Sequence, residues 1–459
     1  RIASLAVLPL ANLSHDPEQE FFAEGMTDAI IATLAASEDV RVISRTSVMR
    51  FRGTTRSVPE IGRELGVQAL VEGSVLRAGT RVRITARLVE AAADRSLWSG
   101  TFERPLADVF ALQDEVAREI ATSVHGRLAP VARALPRGRA PVPPEAYELY
   151  LRGRYVWNRR TAPDLRQAKQ FFEDAIARAP SFALAHAGLA DAYNLLGDLV
   201  AMSETVARNA ARAAARRALE LEPGLPEALT SMGFVQYFHD WDWPASEASF
   251  REAVANGPGW ATAHQWFAEL LAATGRFEEA ELHARHALEL DPLSFVLHNT
   301  LAEVLYFARR YDDAIAALHG TLDLAPEFGP IHMDLGRACS QVGRHDEALT
   351  SYERARVLMP GSGRVAAGLA HALAHAGRHD EARRRLPALE AEVPSGIVTC
   401  HAMGVIHLEL GEHEAALDWL ERGLARRDRA LVWMRVHPRL DDLRGHPRFT
   451  RMLAQMKLG

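Results

Sequence analysis

The sequence predicts two architectures in one chain. An α/β domain with a mixed sheet spans residues 1–131, and an all-α array of helical hairpins, an α-solenoid, spans residues 147–428. Three observations carry this reading. Prolines recur at a fixed interval through the second part. A strict alternation of apolar and polar residues runs from Arg81 to Leu88 in the first. The chain, at 459 residues, is too long for a single core.

The prolines are Pro180, Pro223, Pro258, Pro292, Pro326, Pro360 and Pro394, and the last four intervals between them are 34 residues each. The interval before these is 35 and the first is 43. Proline cannot continue a helix and readily follows a helix end, so each marks the close of a unit. Twelve positions before the prolines stand Ala168, Ala211, Ser246, Ala280, Ala314, Ala348 and Ala382. Five before stand Ala175, Ala218, Ala253, Ala287 and Ala355. Small residues let two antiparallel helices approach closely. Gly275, Gly343 and Gly377 permit the turn between them. One hairpin cannot bury its apolar face alone, but stacked neighbours can.

With the Leu-Gly or Leu-Ala pair of the first helix (Leu189–Ala190, Leu301–Ala302, Leu335–Gly336), this pattern resembles the tetratricopeptide repeat. The resemblance implies a right-handed superhelix of about eight hairpins, the first starting near Tyr147 and the eighth running from Ile397 to about Asp428. Two features depart from the pattern. His186, His264, His298 and His332 stand where an aromatic is usual, and the fifth unit has Arg309–Arg310 in place of the turn glycine. About nine extra residues around Gly197–Arg208 are expected to lengthen the second unit. The "HDWDWP" stretch at 239–244 is expected to be a one-residue loop insertion. Residues 429–459 read as capping helices for the open end of the array.

In the first part, "SLAVLPL" (4–10) and "VRVIS" (40–44) read as buried strands, Phe21–Ala36 as an amphipathic helix and "SVPEIGRELG" (57–66) as a capped helix. "VQALVEGSVLR" and "RVRITARLVEA" form a hairpin around Ala78–Gly79–Thr80, "LWSGTFER" (97–104) adds a strand, and Ala107–Leu128 closes the domain as a helix. Nearly all of residues 3–124 resembles the TolB-amino-terminal-like domain. The resemblance implies a place beside a tetratricopeptide array in bacterial regulators, downstream of a kinase, nucleotide cyclase or winged-helix domain. The Pro/Arg-rich stretch 132–146 reads as a semi-rigid linker that lets the two parts move separately. The chain begins at Arg1, so a preceding segment is expected. The compartment stays open between cytoplasm and an extracytoplasmic part of a membrane-anchored protein.

The net charge of −6 argues against nucleic-acid binding by these residues. No phosphate loop, nucleophile elbow or kinase signature occurs, so no enzyme activity and no cofactor are expected. Cys339 and Cys400 are too far apart to read as a disulfide framework or metal site. His371, His375 and His379 share helical spacing that could serve a metal, but surface or packing roles fit the many other repeat histidines better. Arg41, Arg45, Arg50, Arg52 and Arg56 around Phe51 read as a solvated face paired with local acids rather than an anion site. Asn12, Ser14, His15 and Asp16 read as the cap of the helix that starts near Glu20.

The favoured site is the groove. By the repeat register Gln265, Glu269, Asn299, Glu303, Tyr306, Arg337, Gln341, His371, His375 and His401 line the concave face, open to a protein or peptide partner. The Lys/Asn clamp for C-terminal carboxylates is not evident. The reading is therefore a non-catalytic protein-interaction scaffold. Its rivals are a small-ligand or envelope-component sensor acting through the α/β domain, and the accessory region of an upstream enzyme. The oligomeric state is not legible.

Overall fold

A computed structural model describes residues 2–14, 16, 19–36, 40–125, 142–159, 161–198 and 202–459. His15, linker residues 132–141 and part of the Gly197–Arg208 insertion lie outside the described residues. The chain divides into two compact units. One comprises residues 1–235, 248–264 and 286–294; the other comprises 236–247, 265–285 and 295–459.

The first unit contains the expected mixed sheet. Its strands are β1 (Ser4–Val7), β2 (Ala11–Asn12), β3 (Arg41–Val42), β4 (Ala69–Ala78), β5 (Arg81–Glu90) and β6 (Arg95–Pro105). The order is β3-β1-β4-β5-β6, with β2 also paired to β4. β1 lies parallel to β3 and β4, and β4, β5 and β6 run antiparallel. Central β1 is buried at all four residues, as its unbroken apolar run requires. Along β5, Val82, Ile84, Ala86 and Leu88 are buried while Arg81, Arg83, Thr85 and Arg87 are exposed. Helices α1 (Glu20–Ala35) and α4 (Val109–His125) pack on each other and on the strands. The short α2 (Arg45–Val48) and α3 (Val58–Leu65) complete the domain. α3 carries the expected capping box between Ser57 and Glu60 and ends at Gly66 with φ +63°. The cap contributes about 1 kcal/mol.

Two expectations are corrected here. Asn12 does not cap α1: its side chain donates to the Asp16 carbonyl and accepts from the Ser14 amide, holding the turn itself, and α1 has no side-chain cap. Nor do sheet domain and hairpins form separate cores. Phe110 of α4 meets Tyr147 at 5.0 Å and Phe182 at 6.1 Å, and Leu151 packs against Gly25 so closely that a Cβ there would come within 2.6 Å. One hydrophobic cluster runs from Leu5 through Val124 to Tyr147, Phe182 and Leu225. The two parts of this unit are one packed body, because the aromatic rings of the first hairpin complete the domain's core.

From Pro144 onward the helices pair as hairpins: α5 (Pro144–Trp157) with α6 (Ala162–Arg178), α7 (Ala183–Asp198) with α8 (Glu204–Leu221), α9 (Pro226–Val235) with α10 (Trp243–Asn256) and α11 (Ala261–Ala273) with α12 (Phe277–Leu290). There follow α13 (Phe295–Phe307) with α14 (Tyr311–Leu322), α15 (Gly329–Gln341) with α16 (His345–Leu358), α17 (Gly363–His375) with α18 (His379–Ala391) and α19 (Cys400–Glu409) with α20 (His413–Arg426). The periodic alanines are the contact points: Ala168, Ala211, Ala280, Ala314, Ala348 and Ala382 are at most 1% exposed. The turn glycines Gly275, Gly343 and Gly377 have φ of +85°, +74° and +76°, and Arg309 takes the same left-handed conformation at +66° without being glycine. The second hairpin is lengthened as expected, its helices running 16 and 18 residues. The "HDWDWP" residue is absorbed differently from the expected loop: Gln236–Asp240 form a wide π-helical turn, which takes up one extra residue within the helix.

In the second unit, Tyr352 of α16 is wedged between Gly336 of α15 and Gly368 of α17. A Cβ on either glycine would fall 2.7 or 2.4 Å from the ring. Helix propensity favours alanine over glycine by about 1 kcal/mol, whereas overpacking costs about 1–3 kcal/mol. Gly368→Ala is expected to lower stability, measured by urea unfolding. A gain would mean that the ring has room to move.

Candidate functional site

The face formed by the first helices of the hairpins in the second unit holds the residues named from sequence, and they form a polar ladder. Asn299 donates to Asp334 at 2.8 Å, Asp334 pairs with Arg337 at 3.0 Å, and Arg337 reaches Glu303 at 3.2 Å. The Arg337 guanidinium also lies 4.4 Å from the Tyr306 ring centre. Further along, Glu409 stands between two imidazoles, 2.8 Å from His375 Nδ1 and 3.4 Å from His371 Nε2. Gln265 donates to Glu269 at 3.1 Å, and Gln341 is half-buried. Sequence reasoning missed Asp334 and Glu409, which supply the anions of this ladder.

The expectation of an open wall is corrected. Residues 429–443 do not merely cap the end of the array; they lie against this face. A 3-10 turn, Arg429–Trp433, carries Trp433 flat onto Phe307, with centroids 4.4 Å apart and planes 12° apart. His437 meets Tyr306 at 6.3 Å and His401 at 4.8 Å, Arg439 donates to the Tyr352 hydroxyl at 3.2 Å, and Arg309 pairs with Asp441 at 2.8 Å. The physical reason is that the wall is apolar as well as polar. Tyr306 and Phe307 are each 1% exposed, and the chain's own Trp433 and His437 pack on them and remove that surface from water. α21 (Pro447–Gln455) follows, and the Met456 carbonyl accepts from the Trp243 indole at 2.6 Å.

The seat is imperfectly satisfied. Among the described residues Tyr306 Oη, Arg337 Nε, His371 Nδ1, His401 Nε2 and Arg439 Nε are buried without a hydrogen-bond partner. Each such group costs about 1–3 kcal/mol. Burial dominates the titration here. It pushes His371 down to about 3, helped by Arg439, and His401 down to about 4. His437 is lowered well below its ordinary value by burial, then by His401 and Arg439. Burial pushes the Tyr306 hydroxyl up to about 12. Burial alone would raise Glu409, but hydrogen bonds from His371 and His375 hold it below the usual carboxylate range.

The other sequence candidates have structural partners. Arg45 and Arg52 pair with buried Glu24, Arg56 pairs with Glu64, and Arg41 donates to the Glu289 carbonyl at 2.7 Å. His379 opens α18, while His371 and His375 face Glu409.

Family models described as tetratricopeptide repeat match residues 242–295, 299–363, 341–397 and 397–422. The repeats within residues 242–422 are therefore tetratricopeptide repeats, an architecture that is typically non-catalytic. A Rhizobium meliloti (strain 1021) protein named Putative adenylate cyclase 3 is 38% identical over 186 residues, covering 40% of this chain and 32% of that protein. Transcriptional regulator HilA of Salmonella typhimurium is 26% identical over 144 residues, covering 31% of this chain and 26% of HilA. The matched region thus spans about a third or less of each relative's length. Among solved structures, Pseudomonas aeruginosa pilF aligns with a TM-score of 0.36 and 18% identity over 49% of this chain and 96% of its own. Yeast Tom70 aligns with a TM-score of 0.42 and 15% identity over 68% of each chain. Among the described residues no helix is long and apolar enough to cross a membrane.

Proposed function

We propose that this chain is a protein-interaction scaffold, the sensory or regulatory part of a larger bacterial signalling protein. It binds a protein or peptide on the face that carries Asn299, Glu303, Tyr306, Arg337, His371 and His401. The observation that supports this most is the seating of residues 429–443. A peptide stretch with one aromatic, one imidazole and one guanidinium anchor already fits the face, so the surface has the chemistry of a peptide receptor. The unsatisfied donors and acceptors around it argue for a displaceable occupant. The resemblance of residues 3–124 to the TolB-amino-terminal-like domain, and the partial match to a cyclase-named relative and to HilA, support an output domain upstream.

The test uses a fluorescently labelled peptide of residues 429–443 against the full chain and against Trp433→Ala, whose own segment is loosened. The variant is expected to bind the peptide at least about tenfold tighter than the wild type, a gap of about 1.4 kcal/mol. Arg337→Glu in the same background should abolish binding. Equal, negligible binding by both chains would sink the reading.

A further inference from the structure

The sheet of the first unit ends differently on its two sides. β3 forms one edge with only two residues, Arg41–Val42, and offers little backbone to a further strand. β6 forms the other edge with eleven residues, Arg95–Pro105. β5 pairs with its inner side and α4 packs against it. Among the described residues no backbone hydrogen bond reaches its outer side. Folded proteins guard such an edge with charges, proline or a bulge. On β6 these guards stand at the ends. Arg95 pairs with Glu90 at 2.9 Å, Glu103 with Arg81 at 2.6 Å and Arg83 at 2.8 Å, and Arg104 with Glu115 at 3.0 Å, so its own chain holds each charge. Pro105 is the last residue. A bulge falls at Leu97, since Leu88 faces Trp98 and Val89 faces Ser96. From Trp98 to Phe102 the edge carries no charge, no proline and no bulge.

The unguarded stretch, Trp98-Ser99-Gly100-Thr101-Phe102, reads nearly the same in both directions about Gly100. A twofold pairing of identical strands demands that symmetry, because residue i then faces residue j while j faces i. Antiparallel pairing centred on Gly100 sets Trp98 against Phe102 of the other copy twice, and Ser99 against Thr101 twice. Every other symmetric register parts the two aromatics. Moving the centre by one residue puts Trp98 opposite Gly100 or Arg104. Aromatic cross-strand pairs stabilise a sheet. Within one copy the two rings already close over the glycine, where a Cβ would fall 2.7 Å from Trp98 and 2.9 Å from Phe102. Both rings pack on the core but are only partly buried, and Leu97 beside them is 41% exposed.

We propose that β6 is a self-association edge, on which a second copy of this chain lays its own β6 antiparallel and extends the sheet across a twofold axis. The occupant is an identical chain because the stretch complements itself in one register and carries no charge that would select a different partner. Beyond it, Glu103 and Arg104 come opposite the Ser96–Leu97 bulge of the other copy, so no like charges meet.

Sedimentation equilibrium of the full chain at a series of concentrations tests this. The wild type is expected to show a reversible monomer–dimer equilibrium. Ser99 and Thr101 lie on the exposed face of the strand, so both accept a charge without disturbing the core. The double variant Ser99→Lys, Thr101→Lys sets lysine opposite lysine and is expected to weaken dimerisation at least about tenfold. Ser99→Glu, Thr101→Glu is expected to do the same. Mixing the two variants is expected to restore association as mixed dimers, a result that loss of folding could not give. A wild-type chain that stays monomeric overturns the proposal and leaves the edge to a strand of a different protein. So does a dimer that both charged variants leave intact, or charged variants that fail to combine. The labelled peptide of residues 429–443 probes the second unit, so the two readings fall separately.

Discussion

Trp433→Ala is expected to cost the second unit about 3 kcal/mol, at the lower end of the range for truncating a large buried aromatic. Trp433 is half-buried rather than fully enclosed, which trims the loss. Against that, the ring is stacked on Phe307 at 4.4 Å and meets Tyr237 edge-on at 6.4 Å, so the truncation removes two aromatic contacts together. The change has a second signature. Arg435 is exposed within a segment that Trp433 pins, and release of the segment offers its peptide bonds to trypsin. Urea unfolding followed by limited trypsin digestion reads both effects. Unchanged stability and unchanged cleavage would show that the segment is anchored elsewhere, by α21 and Trp243.

Acid is expected to destabilise the same region. His371, His401 and His437 all titrate below the ordinary imidazole value when folded, because burial near Arg439 disfavours a further cation. In the unfolded chain they protonate near pH ~6.5. Below that pH the unfolded state binds more protons than the folded state, so stability falls as pH drops, continuing until the folded values near 3 to 4 are reached. Each imidazole contributes up to about 1.4 kcal/mol per pH unit, so three together reach on the order of 4–6 kcal/mol by pH 5 as an upper bound. His375 works the other way. Its hydrogen bond to Glu409 raises its value, so its contribution is complete below the unfolded value and fades only as pH rises. Tyr306, Tyr352, Arg337 and Glu409 complete the surroundings, and Glu409 stays charged through this window because it is held low. Urea midpoints at pH 7.5, 6 and 5 should decline, and His437→Asn should flatten the decline. In the first unit Asp291, raised to about 6, has the opposite sign, since its folded form holds a proton that the unfolded form releases. A second-unit midpoint that holds or rises in acid would contradict the burial of these imidazoles.

Much of this was legible in the sequence, and the part that was not has a physical reason. The proline interval and its alanines gave the hairpins, because a repeat that packs only on its neighbours must restate the same contacts in each unit. The same interval encodes the ladder. His375 and Glu409 lie 34 residues apart, as do Glu303 and Arg337, and Asn299 and Asp334 lie 35 apart. Adding the period to His375 would have found Glu409, whereas Asp334 lies one residue off the period from Asn299. A second row recurs at 29 residues, linking Glu247 with Arg276, Glu281 with Arg310 and Glu412 with Arg383. These exposed pairs contribute little to stability. The seating of Trp433 on Phe307 has no such signature: it joins a non-repeating segment to one particular repeat. Periodicity is silent about a contact made once.

The interlocking of Phe110 with Tyr147 and Phe182 decides how this polypeptide can be divided. Severed after α4, the upstream piece would carry a raw aromatic wound where the first hairpin belongs, and the downstream piece would carry its mirror. Neither fragment owns a complete interior. The boundary between the sheet domain and the first hairpin is a seam inside one packed unit.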